Sequence, residues 1–157
     1  MPRAFVVPAQ RVVSGGDAAL AAVTDPGFDG RRVAVTEGRV GGVPVEGSGV
    51  ALGGAARVVS YRPERVVVRA RGSGLLVLSD NWFPGWKASV DGRDVPVERV
   101  DYLFRGVRLG PGEHTVVFRY QPLSWRLGWI VSLISLAALA LALVLGARGR
   151  RRTPAPA

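Results

Sequence analysis

LLVLSDNWFPGWKASVDGRDVPVERVDYLFRGVRLGPGEHTVVFRYQP, residues 75–122, decides the fold. Short runs of Val, Leu and aromatic residues are broken every few positions by Gly, Pro, Asp or Asn. The pattern predicts strands over Leu75–Asp80, Trp86–Val90, Val95–Val97, Leu103–Leu109 and His114–Gln121. In the last of these, Val116, Phe118 and Tyr120 alternate with Thr115, Val117 and Arg119, as on a strand with two unlike faces. Asp91-Gly92 signals a hairpin, and Pro111-Gly112 marks a second turn.

Upstream, Ala4–Val7, Arg32–Thr36, Ala56–Tyr61 and Arg65–Arg71 continue the series. In Arg65–Arg71, Val67, Arg69 and Arg71 face one way and Val66, Val68 and Ala70 the other. Asp17 caps a short helix through Ala18–Val23, stopped by Asp25-Pro26-Gly27. Gly38–Gly54 is Gly-rich and weakly patterned, a loop or ragged strands. Short strands with turns this close predict a mainly β fold, an antiparallel two-sheet sandwich of jelly-roll-like form.

Downstream, Leu127–Ala147 reads LGWIVSLISLAALALALVLGA without a charge. As a helix it spans roughly 30 Å, the thickness of bilayer hydrocarbon. A buried core helix rarely stays apolar on every face for so long. One C-terminal transmembrane helix is therefore expected, with Trp125 and Trp129 at its interface. Gly128, Ser132, Ser135, Ala142 and Gly146 recur along it at spacings that bring small residues to one stripe, where a second helix packs closely. Small residues are also simply common in membrane helices, which leaves that role open.

The chain carries 21 basic and 12 acidic side chains and no cysteine. Without cysteine there is no disulfide framework, thiol nucleophile or zinc–thiolate site. Every basic residue but Lys87 is Arg. Arg148, Arg150, Arg151 and Arg152 follow the apolar segment, against a lone Arg126 before it. By the positive-inside rule this places the tail in the cytoplasm and the β region outside. The expected organisation is an extracytoplasmic β-sandwich over 1–124, a transmembrane helix over 125–147 and a basic cytoplasmic tail over 148–157. The opening MPRAFVVPAQ is no signal peptide, so delivery outside implies an upstream start or a larger membrane protein of which this is the C-terminal piece. A tail-anchored protein facing the cytoplasm is opposed by the four arginines.

His114, the single histidine, starts a strand and has no evident catalytic partner. Asp80, Asp91, Asp94, Glu98 and Asp101 are close in sequence, but turns account for Asp91 and Asp94, which weakens a carboxylate pair. No phosphate loop, dinucleotide fingerprint, serine elbow or metal-ligand cluster is present, and neither metal nor cofactor is expected. The distinctive stretch is Ser79-Asp80-Asn81-Trp82-Phe83-Pro84-Gly85-Trp86-Lys87. Trp82, Phe83 and Trp86 can stack on a sugar ring while Asp80 and Asn81 bond its hydroxyls. Equally, Trp82 and Trp86 can plug the end of the sandwich or rest on the membrane interface. Nucleic acid is a poorer fit, because the arginines are scattered along strands instead of forming a stripe.

Residues 75–122 resemble the C-terminal end of YfhO-like bacterial membrane proteins. The shared pattern is an apolar strand, Ser-Asp/Glu, two aromatics, Pro-Gly-Trp and a Val-Asp-Gly hairpin, then a Pro-x-Gly-x-His-x-Val-x-Phe-x-Tyr-x-Pro strand and a closing membrane helix. Here it falls on Ser79, Asp80, Trp82, Phe83, Pro84, Gly85, Trp86, Asp91, Gly92, Gly112, His114, Phe118, Tyr120 and Pro122. Pro2–Val7 and Asp25–Asp29 look like the same region's upstream landmarks. The resemblance implies a glycosyltransferase of the C-type membrane class, a multi-span protein that moves sugar from a polyprenyl-phosphate donor to an envelope acceptor. The catalytic carboxylates implied lie near N-terminal spans with no counterpart here, so no catalytic residue is carried over. What the resemblance leaves is a non-catalytic extracytoplasmic β-domain with the last membrane helix, which positions envelope glycan or braces the catalytic part. The alternative is a membrane-anchored interaction module docked on a separate multi-span protein. Expected partners are membrane lipid, other transmembrane helices of the same or a partner protein and envelope glycan.

Overall fold

The computed structural model describes residues 2–49 and 53–150. One compact unit ends at Gln121 and a second begins at Pro122. In the first, the strands are β1 (Ala4–Val7), β2 (Ala9–Val12), β3 (Val33–Thr36), β4 (Gly54–Arg62), β5 (Arg65–Gly72) and β6 (Gly74–Asn81). They continue with β7 (Trp86–Val90), β8 (Arg93–Val95), β9 (Glu98–Val100), β10 (Phe104–Leu109) and β11 (Glu113–Tyr120). Among the described residues these form a single sheet in the order β2-β3-β9-β10-β6-β1-β4-β5-β11-β7-β8.

The fold is mainly β, as expected, but the two separate antiparallel sheets are corrected to one open, curled sheet. One pair within it, β2 with β3, is parallel. Two layers arise from a seam. Strand β1 pairs with β6 over Ala4↔Leu78 to Val7↔Leu75, but meets β4 at Val6↔Gly54 alone. Strand β5 passes to β6 through Ser73 although β4 and β1 lie between them in the sheet. A single residue spans only about 3.5 Å, so the sheet has to fold over to bring those ends together. Gly72 and Gly74 make the corner with φ of 126° and 134°, which side-chain-bearing residues rarely adopt.

Folding at the seam creates two cores. Leu76, Leu78, Val107 and Leu109 face Val66, Val68, Ala70, Val116 and Phe118 across the inner gap. On the other side of β1 and β6, Phe5, Val7, Leu75 and Val77 pack with Ala34, Val40, Val43 and Val100. Strand β1 is thus buried on both faces, and its sequence has no alternation to show. Strand β2, which the sequence pattern missed, is fastened by buried Gln10. Its Nε2 donates to the carbonyls of Val40 and Val43 at 2.7 and 2.8 Å. Its Oε1 accepts from the Val40 amide at 2.8 Å and the Thr36 hydroxyl at 3.1 Å. That network, with backbone bonds joining Gln10 to Pro44 and Glu46, gives residues 40–46 a fixed course. A short helix α1 (Gly16–Thr24) ends at Asp25 as expected, but its N-cap is Gly15, without a side-chain cap bond, and Asp17 lies in the first turn.

The second unit holds helix α2 (Leu123–Arg150). Its large apolar side chains from Trp125 to Leu143 are exposed, Trp125 at 70% and Leu143 at 66%. Among the described residues no helix is long and apolar enough to cross a membrane. The span expected over 127–147 runs past Leu143 into side chains outside the described residues. Gly146, Arg148, Arg150, Arg151 and Arg152 fall in that same stretch, and their expected roles lie outside the described side chains.

Candidate functional site

The Ser79–Lys87 motif is shaped by an irregularity in the pairing of β6 with β10. Phe104 lies opposite Asn81, but its neighbour Arg105 lies opposite Leu78, so Ser79 and Asp80 are left over on β6. Bulges of this kind re-aim side chains. Arg105 keeps the inward parity of Val107 and Leu109 and is only 3% exposed. A buried guanidinium requires a counter-charge and hydrogen bonds. Asp80 supplies both, its Oδ2 accepting from Arg105 Nη2 at 2.9 Å. Burial lowers the Arg105 pKa, with Asp80 and Tyr61 acting against that shift.

Arg105 also stacks on Trp86, with its guanidinium carbon 3.7 Å from the ring centroid, and lies 5.7 Å from that of Phe118. Trp86 in turn touches Tyr120, ring centroids 5.3 Å apart. Nη1 of Arg105 is buried without a hydrogen-bond partner among the described residues. The Trp86 face partly offsets its desolvation. Arg3 approaches Asp80 at 3.9 Å from the outside and covers the Tyr61 ring at 4.4 Å. The cluster ties β6 and β10 on one side of the gap to β7 and β11 on the other.

The predicted sugar-contact residues therefore separate. Asp80 is committed to Arg105, and Trp86 presents a face to the same guanidinium. Trp82 is half-buried, its amide donating to the Leu103 carbonyl at 2.7 Å and Arg99 lying 5.9 Å from its ring. Asn81 and Phe83 are exposed. Sequence reading missed Arg105. Its signal was parity, an Arg in step with Val107 and Leu109 on a strand near a motif aspartate.

His114 and Asp91 form a second pair. The Asp91-Gly92 turn has φ of 51° and 83°, the left-handed pair that a tight hairpin needs. It brings Asp91 Oδ2 to 2.7 Å from His114 Nδ1, while Nε2 faces the Gly110 carbonyl at 3.1 Å. Asp91 Oδ1 accepts from the Thr115 amide at 2.8 Å. Both imidazole nitrogens meet acceptors, so the charged ring satisfies every contact. The Asp91 hydrogen bond holds the His114 pKa above its usual 6.5, and the same bond holds Asp91 below its usual 3.8. The pair borders a cleft of ≈ 720 Å³ that Arg93, Glu98 and Arg108 also line.

The His114 contribution to stability is complete below 6.5 and is lost as pH rises through its raised folded value. The Asp91 contribution is present above 3.8 and is lost as pH falls through its lowered folded value. Thermal melting of the full chain is expected to drop as pH rises above 6.5, and His114→Gln to flatten that limb. An unchanged limb in the variant would remove the pair as its cause.

Asp101 is engaged elsewhere. It is buried, accepts from the Val35 amide at 2.8 Å, and burial raises its pKa to about 6. Among the described residues no group of His, Asp and Glu comes together to hold a metal ion.

Residues 57–132, from β4 through β11 into α2, match the family described as bacterial membrane protein YfhO. No curated protein and no solved structure matches the chain.

Proposed function

We propose, for a chain that belongs to the YfhO family over residues 57–132, a bracing role. In this reading it is the non-catalytic extracytoplasmic β-domain and closing membrane helix of a glycosyltransferase-like bacterial membrane protein. The observation that carries bracing over glycan positioning is the Arg105 cluster. Sugar recognition uses free aromatic faces beside free polar groups, whereas Asp80 and Trp86 are spent on Arg105. The motif then serves to lock the two layers. Support for the membrane helix comes from α2, whose exposed apolar side chains have no place in water. Beyond Leu143 the sequence stays apolar to Ala147 and then turns basic. Gly128 has open space above its Cα, and a groove of ≈ 330 Å³ runs past Ser124, Gly128 and Ser132, room for another span.

Glycan positioning would fall to Trp82, Phe83 and Asn81. The test is binding of purified bacterial wall polysaccharide to the full chain in detergent. No saturable binding is expected. Saturable binding that Trp82→Ala with Phe83→Ala removes, while the variant stays folded, would overturn bracing in favour of glycan positioning.

A further inference from the structure

The sequence spreads its arginines along the strands, but the register gathers them, which corrects the view that they form no stripe. Strands β4, β5, β11 and β7 lie side by side, and residues directly opposite in antiparallel pairs share a face. Arg62 lies opposite Arg65, Arg65 opposite Arg119, and Arg119 opposite Lys87. These four cations form one row across four strands, about 14 Å long at the usual strand spacing. Arg57 stands opposite Arg69 on the same face. All six are exposed, and among the described residues none of them forms an ion pair.

Like charges set directly opposite destabilise a sheet, so this face carries a cost with no internal return. The nearby acids are too few to cancel it. Asp94, opposite Ser89, shares a recess with Lys87 and Arg119 but, among the described residues, forms no ion pair with them. Glu113 lies opposite Arg71 and approaches it at 4.0 Å, and Glu64 sits in the β4–β5 turn. An external anion is what the row lacks. Arg119 precedes Leu123, the first residue of α2, by four positions, a chain reach of at most about 14 Å. A chain anchored through α2 holds the row near headgroups at high effective concentration, which favours them over a soluble polyanion.

We propose that the row Arg62–Arg65–Arg119–Lys87 docks on anionic lipid headgroups, an inference that rests on the membrane reading of α2. The chain has no cysteine, so Ser89→Cys, on the same face between the rows, takes a single fluorophore. The full chain is placed in nanodiscs of phosphatidylcholine, with or without phosphatidylglycerol, each containing a headgroup-nitroxide lipid as quencher. Quenching is expected to be stronger in the anionic discs and to weaken as salt rises. Arg65→Gln with Arg119→Gln is expected to reduce association of the face about 25-fold, at roughly fivefold per cation near an anionic membrane. The same variant is expected to melt no lower than the parent in phosphatidylcholine discs, because it relieves repulsion. Equal quenching in both discs, with the chain inserted in both, overturns lipid docking and leaves the membrane helix standing. A chain that enters neither disc overturns the membrane helix and the docking with it. Saturable binding of soluble polyphosphate by the chain in detergent, with no lipid dependence, reassigns the row to a soluble polyanion.

Discussion

Arg105→Ala is expected to destabilise the β unit by about 3–5 kcal/mol, the cost of breaking a buried ion pair from one side. A typical domain has only about 5–15 kcal/mol in total, so the effect removes a large share of the whole. Three losses coincide. Asp80 keeps a carboxylate that is 12% exposed and has lost its close partner. Trp86 and Phe118 lose the guanidinium that fills the space between them. The two layers also lose the guanidinium–ring contact that crosses the gap between them. Asp80→Asn leaves the guanidinium buried without its counter-charge and should cost a comparable amount. Combining Arg105→Met with Asp80→Asn removes both charges and keeps volume, and should recover most of the loss. Chemical denaturation of the full chain, followed by tryptophan fluorescence, checks the series. A cost below about 1 kcal/mol for Arg105→Ala, the range of a solvent-exposed pair, would mean the cluster is not what holds the layers together.

Gly72→Ala and Gly74→Ala are expected to be comparably harmful for a different reason. Each position has a φ that costs a side-chain-bearing residue about 1–3 kcal/mol. A Cβ on Gly72 would also collide with the Gly53 carbonyl oxygen, and one on Gly74 with that of Val7. Overpacking of that kind adds about 1–3 kcal/mol, so a total on the order of 4 kcal/mol is expected for each. Gly92→Ala is the control. Its φ is 83°, but open space surrounds it, and about 1–2 kcal/mol is expected. Equal costs at all three positions would show that the β5–β6 corner is not under the constraint described.

What the sequence displayed well was local. Trp86–Val90 was read with its observed bounds, and Asp91-Gly92 adopts the two positive φ values that its residues announce. Asp25-Pro26-Gly27 ends α1 where expected, with the Gly27 amide bonded to Asp25 Oδ1 at 2.6 Å. What stayed hidden depended on partners distant in the chain. Strand β2 reads Ala-Gln-Arg-Val, with no alternation, and Gln10 is buried because Thr36, Val40 and Val43 satisfy its amide. The seam turns on Val6 meeting Gly54, which no local pattern encodes. In the candidate site, the density of aromatics around Pro84-Gly85 was plain. That Trp86 and Asp80 turn toward one arginine was not, because Arg105 arrives from another strand through a bulge. The cationic row was invisible for the same reason, since register decides which arginines stand side by side.

Strand β1 precedes the other strands of this sheet in the chain, yet it lies in the interior of the sheet, between β6 and β4. Its neighbours are made much later, and β11, made last, must enter between β5 and β7. The nascent sheet therefore carries open strand edges until β11 is made, the state in which β proteins are most prone to associate wrongly. Leu123 begins α2 almost as soon as β11 ends. Closure of the sheet thus waits for the strand that directly precedes α2 in the chain. Productive folding then depends on keeping the early strands apart until β11 has been made.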